Sequence, residues 1–271
     1  MAEDNRILKS GQVSPDLFGI NTYVGNTIIK LETVDSTNQY VKNNAKDLET
    51  GTVVVAKEQT AGRGRLSRNW SSPSGDGIWM SFLLRPDLSP EKCSGLTLVT
   101  ALALSKSLRK YTGMDLLIKW PNDVVCNGKK VAGILTELAV DNMETDYVVV
   151  GVGINVNTKE FPQEIRDVAT SLFLEGAKER SFDKIIQGFC AEFNKLYGIY
   201  VETADLHNMK DEYEALLVNK GRVVCIQEDG KEFKGIAVGI NDEGELLFEK
   251  DSQIRTIRAG EVSVRGIYGY V

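Results

Sequence analysis

Apolar residues follow two different spacings along the chain, and each spacing predicts one kind of element. Apolar positions three and four residues apart are typical of amphipathic helices, whereas short β-branched runs are typical of strands. Helices are predicted at residues 35–49, 89–111 and 182–202, with a shorter one near 206–218. Strands are predicted at residues 25–34, 51–59, 77–86, 115–120, 123–138 and 146–157.

Local residues mark two helix starts and one turn. Asp35 or Ser36 is expected to cap the first helix, and Ser89 is expected to cap the second. Asn127-Gly128 lies between two apolar runs, and this dipeptide is typical of a tight β-hairpin turn.

The pattern changes at Asn219. From there to Val271, short alternating strands are separated by turn residues, which predicts a small all-β barrel. Residues 26–218 mix helices and strands and therefore predict an α+β main domain built on a mixed sheet. Residues 1–25 have no clear periodicity and are expected to form a tail or connector.

The composition excludes several classes of protein. The chain has 271 residues, of which 42% are hydrophobic, and this is enough for one large domain and a smaller one. Its net charge of −6 argues against a general nucleic-acid binder, which needs a basic surface. No apolar run is long enough to span a membrane and no signal peptide is visible, so we expect a cytoplasmic protein without membrane contact. The four cysteines are widely separated, which fits reduced thiols.

His207 is the only histidine, and this restricts the chemistry. Zinc sites built on several histidines are excluded, and a Ser-His-Asp triad would depend on His207 alone. Because His207 lies in a polar stretch, we expect it at a helix start or on the surface. The charged chemistry of an enzyme with this sequence would therefore use arginine, lysine and carboxylates.

Positive charge is concentrated in one glycine-rich loop of this acidic chain. The segment Lys57–Gly77 contains Arg63, Arg65 and Arg68 with glycines between them. Glycines let backbone amides approach an anion closely, and arginine offers planar charged donors for carboxylates and phosphates. The loop therefore predicts an anion cradle, although a solvated loop whose arginines pair with neighbouring acids explains it equally well.

Two motifs at strand ends carry further charged residues. Asp123 follows a predicted strand within Lys119–Val124 and is suited to hold Mg²⁺, with a packed turn as the alternative. In Gly128–Glu137, strand alternation places Lys129 and Lys130 on opposite faces, so that one can point into a site while the other is solvated.

Two other motifs place polar groups beside apolar runs. Asn155 lies in the buried strand pattern Gly151–Asn157 and needs a backbone or ligand partner. Asp35–Asn38 opens a helix, where its hydroxyl and amide groups either cap the helix or bind a polar ligand head. Each motif alone is a weak signal.

In their order along the chain, these motifs resemble the biotin–protein ligase family. They are DSTN, KEQTAGRGRLSRNWSSPSG, KWPNDV, GKKVAGILTE and GVGINVN, with a shorter echo at Gly260–Gly266. The resemblance implies a catalytic domain like those of class II synthetases and lipoate ligases, followed by an SH3-like barrel. It also implies that biotin and ATP react with Mg²⁺ to give biotinyl-AMP and pyrophosphate. Biotin would then pass to one lysine of a biotin carboxyl carrier protein or domain.

The resemblance assigns roles to individual residues. Lys130 and Arg65 would be catalytic, because they would neutralise charge where carboxylate and phosphate react. Asp123 would anchor Mg²⁺. The adenylate would be contacted by Arg65, Trp70 and Asn155. Biotin would be bound by residues of three motifs, namely Ser36, Thr37, Asn38, Gln59, Gly62, Arg63, Gly64, Arg65, Lys130 and Gly133.

Two departures from the family pattern affect these expectations. Leu66-Ser67 stands where many members have a residue followed by glycine, so the flexibility of the loop differs. Residues 1–25 have no helix-turn-helix pattern, so we expect no DNA binding by this chain, unlike members that also repress transcription. Sheet-edge dimers occur among similar proteins, which leaves a homodimer open.

Three other functions remain as alternatives. A lipoate–protein ligase shares the architecture, but its Arg-Arg and Ser-Gly-Gly-Gly pattern is absent. A biotin-responsive DNA-binding regulator would need a further domain and a different charge. A ligand-binding module would bind biotin but release no pyrophosphate.

Overall fold

A computed structural model describes residues 6–9, 23–228, 231–259, 263–266 and 270–271. Most of the predicted tail at 1–25, and part of the motif at Gly260–Gly266, lie outside these residues. The strands of the first domain are β1 (Arg6–Lys9), β2 (Thr27–Val34), β3 (Val53–Gln59), β4 (Gly77–Leu84), β5 (Leu116–Lys119), β6 (Asp123–Cys126), β7 (Lys129–Asp141) and β8 (Glu144–Asn155). The helices are α1 (Thr37–Asn43), α2 (Leu96–Thr112), α3 (Phe182–Thr203) and α4 (Lys210–Leu216). The strands of the second domain are β9 (Val223–Glu228), β10 (Lys231–Ile240), β11 (Leu246–Lys250), β12 (Gln253–Ile257) and β13 (Ser263–Gly266).

The first domain is built on a mixed sheet, as predicted. Its strand order in the described part of the chain is β1-β2-β3-β4-β8-β7-β6-β5. β2 and β3 are parallel, and the other neighbours are antiparallel. β1 pairs with β2 from Arg6↔Lys30 to Lys9↔Thr27, so the segment predicted as a tail contributes an edge strand.

Helices cover both faces of this sheet. One core includes β4, α2 and α3, where the rings of Phe82 and Phe193 lie 4.9 Å apart and Leu102 is fully buried. A smaller core lies on the other face, where Val41 of α1 packs with Val54 of β3. Burial of these apolar faces is the main favourable term for the domain.

Successive residues of β8 face alternately toward the larger core and toward the opposite side of the sheet. Its even-numbered apolar residues join the larger core, namely Val148, Val150, Val152 and Ile154. Its odd-numbered glycines, Gly151 and Gly153, point the opposite way, because successive strand residues face opposite sides. The glycines of the predicted motif therefore lie on one face, where they leave room for other side chains.

Two hairpins connect β6 to β7 and β7 to β8. Asn127 and Gly128 adopt φ angles of 48° and 77°, which confirms the predicted turn between β6 and β7. The hairpin between β7 and β8 turns at Asn142 and Met143, with φ angles of 48° and 68°. This second turn was not predicted because it contains no glycine.

The predicted start of α2 at Ser89 was wrong. Residues Lys92–Gly95 form a short 3-10 turn, and the helix begins at Leu96 with Gly95 before it. The hydroxyl of Tyr200 donates a hydrogen bond to the carbonyl oxygen of Lys92 at 2.5 Å. This contact from α3 explains why a start signal in the local sequence did not begin the helix.

The start of α1 also lacks the predicted side-chain cap. Ser36 occupies the N-cap position, but its side chain makes no capping bond. The N–H of Ser36 donates to Oδ1 of Asp35 at 2.6 Å. The hydroxyl of Ser36 therefore remains available beside the cavity described below.

The second domain is an antiparallel sheet with the order β12-β11-β10-β9-β13, as predicted. It packs directly against the first domain. Nε1 of Trp120 donates to the carbonyl oxygen of Gly244 at 3.0 Å, and the backbone N–H of Trp120 donates to Oδ1 of Asn219 at 2.9 Å. Trp120, which belongs to a motif of the first domain, is thus held by the second.

The single histidine and the four cysteines line neither of the cavities described below. His207 is exposed and its Nδ1 lies 3.3 Å from Oδ2 of Asp242, which confirms the predicted surface position. The cysteines are buried and form no disulfide. In the described part of the chain, no helix combines the length and the apolarity that crossing a bilayer requires.

Candidate active site

Two adjoining cavities open on the α1 side of the sheet. The small cavity has a volume of about 50 Å³ and the large one about 560 Å³. Both are lined by a shared set of residues, namely Gly64, Arg65, Trp70, Asn122 and Lys130. We call this shared set the junction. It joins a narrow polar recess to a space in the size range of small-molecule sites.

The small cavity gathers nearly all of the residues predicted to bind biotin. Its lining includes Ser36, Thr37, Asn38, Gln59, Arg63, Gly64, Arg65, Lys130 and Gly133. Gly62 is the exception, since it lies in a stem of the loop, paired with Trp70, and is not part of the lining. A Cβ atom at Gly62 would fall 2.4 Å from the carbonyl oxygen of Trp70. Gly62 therefore permits the fold of the loop and does not form the cavity wall.

A chain of hydrogen bonds holds the polar wall of the small cavity. Oε1 of Gln59 accepts from the N–H of Thr37 at 2.8 Å and from its hydroxyl at 3.0 Å. Nε2 of Gln59 donates to the hydroxyl of Ser72 at 2.7 Å. The fully buried Ser81 contacts both Oγ1 of Thr37, at 2.7 Å, and Oδ1 of Asn38, at 2.5 Å. These side chains are consequently fixed before any ligand arrives.

The glycines of β8 make room for two of these side chains. A Cβ atom at Gly151 would lie 2.1 Å from Oδ1 of Asn38. A Cβ atom at Gly153 would lie 2.6 Å from Nε1 of Trp70. Both distances are far below van der Waals contact, so only glycine allows Asn38 and Trp70 to lie on the sheet.

The arginine-rich loop is a small hairpin, and its residues Gly64 and Arg65 line both cavities. Its stems are paired by an N–H···O bond from Trp70 to Gly62 at 2.9 Å and one from Gly64 to Arg68 at 2.8 Å. Leu66 at the tip has a φ angle of 55°, which is uncommon for a bulky residue. Leu66 thus adopts the left-handed backbone geometry of the tip without a glycine.

Arg65 ties the loop to the sheet. Its Nη1 donates to Oδ1 of Asn122 at 2.9 Å, while its Nη2 is buried with no hydrogen-bond partner among the described residues. Burial lowers the pKa of Arg65, and the charge of Asp123 partly opposes this effect. Arg63, by contrast, is exposed. The structure therefore anchors the loop through Arg65, while Arg63, which was expected to bind biotin, lines the small cavity.

Lys130 and Asp123 form an ion pair at the junction. Nζ of Lys130 lies 2.6 Å from Oδ1 of Asp123 and 4.9 Å from the ring centre of Trp70. The other carboxylate oxygen of Asp123 accepts a hydrogen bond from the hydroxyl of Tyr270. Both oxygens of Asp123 are thus occupied by groups of this chain.

These contacts keep Asp123 ionised. Burial raises its pKa, but the charges of Lys130 and Lys119, together with hydrogen bonds from Lys130 and Tyr270, lower the net pKa below its usual value. Burial and the charge of Asp123 raise the pKa of Tyr270 well above its usual value, so its hydroxyl stays protonated and donates. The two cations of the junction, Lys130 and Arg65, thus lie beside one fixed negative charge, that of Asp123.

A β-bulge turns Lys130 toward the cavities. Val124 of β6 pairs with Ala132 of β7, but Val125 pairs with Lys130, so Val131 is an extra residue. Strict alternation would place Lys130 on the same face as Ala132, which is in the core. The bulge moves it to the face of Gly133 instead, as bulges commonly do beside functional sites. Lys129 lies outside the cavities, where its Nζ donates to the carbonyl oxygen of Arg166 at 3.2 Å.

The large cavity contains the residues predicted for the adenylate. Arg65, Trp70 and Asn155 line it together with Asp123. Nδ2 of Asn155 donates to the carbonyl oxygen of Thr170 at 3.0 Å, which supplies the partner that a buried amide needs. Nε1 of Trp70 is buried without a hydrogen-bond partner among the described residues.

Sequence reasoning missed two residues that belong to this arrangement, Tyr270 and Ser81. Tyr270 lines the large cavity, and its ring lies 3.4 Å from Nζ of Lys119, measured to the ring centre. Ser81 links Thr37 to Asn38. A single serine in the apolar strand GIWMSFLL was a usable signal for Ser81, whereas nothing near Tyr270 in the sequence points to a site.

Comparison with known proteins agrees with this arrangement. The model of the biotin/lipoate A/B protein ligase family matches residues 31–155, and that of the biotin protein ligase C terminal domain matches residues 221–265. The bifunctional ligase/repressor BirA of Bacillus subtilis is 38% identical over 267 residues, which cover 95% of this chain and 81% of that protein. The biotin–[acetyl-CoA-carboxylase] ligase of Paracoccus denitrificans is 31% identical and covers 87% of this chain and 100% of that one.

A solved structure has the same fold. The biotin protein ligase of Aquifex aeolicus, in complex with biotin and ATP, superposes with a TM-score of 0.78 at 33% identity. The match covers 88% of this chain and 98% of the other. With both domains, the order of the motifs and the sequence identity in agreement, this chain belongs to the biotin protein ligase family.

Proposed function

We propose that this chain joins biotin to ATP, forming biotinyl-5′-AMP and pyrophosphate, and then transfers biotin to a lysine of a carboxylase carrier domain. The observation that carries the proposal is the junction, where Arg65 and Lys130 line both cavities. Biotin in the small cavity and ATP in the large one would bring a carboxylate and the α-phosphate together at these two cations.

The residues of the junction suit the first step. A biotin carboxylate oxygen attacks the α-phosphorus, a new P–O bond forms, and the bond to pyrophosphate breaks. Two anions must approach each other, so Lys130 and Arg65 lower the barrier by neutralising the charge that accumulates on the phosphate. Nη2 of Arg65 is a buried donor with no partner among the described residues, and a phosphate oxygen would satisfy it.

The loop protects the product of this step. Biotinyl-AMP is a mixed anhydride that water hydrolyses, so its enclosure beneath the loop hairpin prevents loss of the intermediate. Because Arg65 binds Asn122, it both anchors the loop and contributes charge. In the second step the carrier amine attacks the acyl carbon, gives up a proton and displaces AMP.

A magnesium ion that arrives with the nucleotide would be held by Asp123, where it would take a carboxylate oxygen from Lys130 or Tyr270. Within the described residues there is no cluster of three or more His, Cys, Asp or Glu side chains able to hold a metal. Mg²⁺ at nucleotide sites needs only one or two carboxylates besides phosphate oxygens, and the ionised Asp123 supplies one. Bound there, Mg²⁺ would neutralise phosphate charge.

The proposed function is tested by mass measurement. The chain is incubated with ATP, Mg²⁺, biotin and a purified carrier domain, and the intact mass of the carrier is recorded. A mass increase of one biotin is expected, and it should require ATP. Pyrophosphate exchange into ATP with biotin or with lipoate then separates the two ligase activities, since only biotin should support exchange. Biotin binding without exchange would contradict the proposal.

Asp123→Asn should change the magnesium requirement of adenylation. The substitution keeps the shape of the side chain but removes its charge, so the rate should fall at low Mg²⁺ and recover partly at high Mg²⁺. Initial rates of pyrophosphate exchange across a Mg²⁺ series measure this. Asp115→Asn, an exposed acid paired with Arg109, is the matched control and should leave the series unchanged. An unaltered Mg²⁺ dependence in Asp123→Asn would remove this residue from the metal site.

A further inference from the structure

Glu137 lies just behind the small cavity without forming its wall. It is on β7, four residues after Gly133, and is half-buried. Its Oε2 accepts a hydrogen bond from Nδ2 of Asn38 at 2.7 Å, and its Oε1 lies 2.9 Å from Nζ of Lys42. One carboxylate thus holds two residues of α1.

These neighbours keep the carboxylate of Glu137 ionised. Burial raises its pKa, but the hydrogen bonds from Lys42 and Asn38, followed by the charges of Lys42 and Arg63, bring the net pKa below its usual value. An ionised carboxylate accepts hydrogen bonds and cannot donate them. The group facing Glu137 must therefore be an N–H.

This requirement determines the orientation of the Asn38 amide. Its NH₂ group faces Glu137 and the carbonyl oxygen of Leu135, the latter at 3.3 Å. Its oxygen must then point the other way, toward Ser81, whose hydroxyl lies 2.5 Å from it. With the amide reversed, two N–H groups would face Ser81 and the cavity.

The orientation of Asn38 decides what the cavity offers a ligand. The hydroxyl of Ser81 has one proton for two acceptors, Oδ1 of Asn38 and Oγ1 of Thr37. One acceptor is therefore left with spare capacity. Gln59 has used one N–H on Ser72 and retains a second. The wall thus presents an acceptor next to a donor, which complements a cyclic urea with its N–H and C=O groups.

We propose that Glu137 is a positioning residue for biotin binding. It acts through Asn38: the acceptor-only carboxylate keeps the amide oxygen of Asn38 toward Ser81 and the cavity, so that the wall accepts a ureido N–H. This inference rests on the proposed function, because it takes biotin as the occupant of the small cavity. Glu137 itself would touch no ligand, and its replacement should affect the binding of biotin but not that of ATP.

The test is Glu137→Gln, which keeps the size of the side chain but adds a donor that permits the Asn38 amide to reverse. Calorimetric titration with biotin should show affinity about tenfold weaker, the equivalent of one hydrogen bond. Affinity for Mg-ATP should be unchanged, and so should the KM for ATP, while the KM for biotin rises. Glu137→Asp, which retains an acceptor-only group, should recover most of the biotin affinity.

Two controls separate orientation from simple loss of structure. Lys42→Met removes the ion pair but leaves the carboxylate facing Asn38, so it should weaken biotin binding much less than Glu137→Gln does. Asp141→Asn changes an exposed acid on the same strand and should have no effect. Melting temperatures of all variants report their folding.

Each outcome has a distinct meaning. If the parent protein does not bind biotin, the proposed function itself fails. If the parent binds biotin and Glu137→Gln binds it equally well, the inference about Glu137 is overturned. An equal loss in Lys42→Met would also overturn it, since the ion pair and not the amide orientation would then be responsible. If Glu137→Gln does not fold, the comparison of Glu137→Asp with Lys42→Met still decides the question: a larger loss in Lys42→Met contradicts the inference.

Discussion

Replacing Lys130 by alanine should slow single-turnover formation of biotinyl-AMP by about a hundredfold or more, the typical effect of removing one well-placed donor to reacting charge. Nζ of Lys130 lies at the junction, 2.6 Å from Oδ1 of Asp123. Affinity for biotin should fall as well, because the biotin carboxylate loses a cation. Rapid-quench measurement gives the chemical step, and calorimetry gives the affinity.

Lys129→Ala is the matched control for this prediction. Lys129 is the adjacent lysine, but its Nζ binds the carbonyl oxygen of Arg166, outside both cavities. Its replacement should leave the single-turnover rate unchanged. The melting temperature of Lys130→Ala should fall, since the substitution leaves the buried Asp123 without its nearest counter-ion. A single-turnover rate equal to that of the parent would show that Lys130 has no part in the chemical step.

Gly153→Ala should weaken both biotin and Mg-ATP binding. A Cβ atom at this position would lie 2.6 Å from Nε1 of Trp70 and within 2.9 Å of two further ring atoms. The indole is rigid and also packs edge-on against Trp79, at 6.4 Å between ring centres, so it has to leave the junction. Overpacking of this kind costs about 1–3 kcal/mol, which corresponds to about five- to 150-fold in affinity.

A double substitution tests the cause of this loss. Trp70→Leu removes the ring, so adding Gly153→Ala to that background should cost little further affinity. The four proteins of the cycle are compared by calorimetry with biotin and with Mg-ATP separately. If the two losses are simply additive, the overlap between Gly153 and Trp70 is not the reason that glycine is needed there.

Local residues were sufficient to predict most elements. β-Branched runs such as Val53–Val55 and the turn dipeptide Asn127-Gly128 specify their own backbone geometry, because their side-chain and φ preferences act within a few residues. The start of α2 was mispredicted where a distant residue, Tyr200, binds the carbonyl oxygen of Lys92. Prediction therefore failed where a contact remote in the sequence overrode a local preference.

The order of the polar motifs was likewise enough to select the residues around the cavities. Arg65 and Asn155 each had a structural alternative when considered alone, and only the order of the motifs indicated a shared site. The structure places them on the walls of two adjoining cavities. The different parts played by Arg63 and Arg65 were not visible in the sequence, because both occur in the same short motif and only one reaches Asn122.

By itself, then, the sequence determined the type and order of most elements, the family and most of the residues that line the two cavities. The tertiary structure alone decided where Lys130 points. The N–H of Lys130 donates to the carbonyl oxygen of Val168 at 2.8 Å, and the carbonyl oxygen of Lys130 accepts from the N–H of Thr170 at 2.8 Å. These two bonds lie directly beside the bulge at Val131. The tertiary structure also brought Tyr270 onto Asp123, 147 positions away. Such pairings form between segments far apart in the chain, and no local pattern of side chains encodes them.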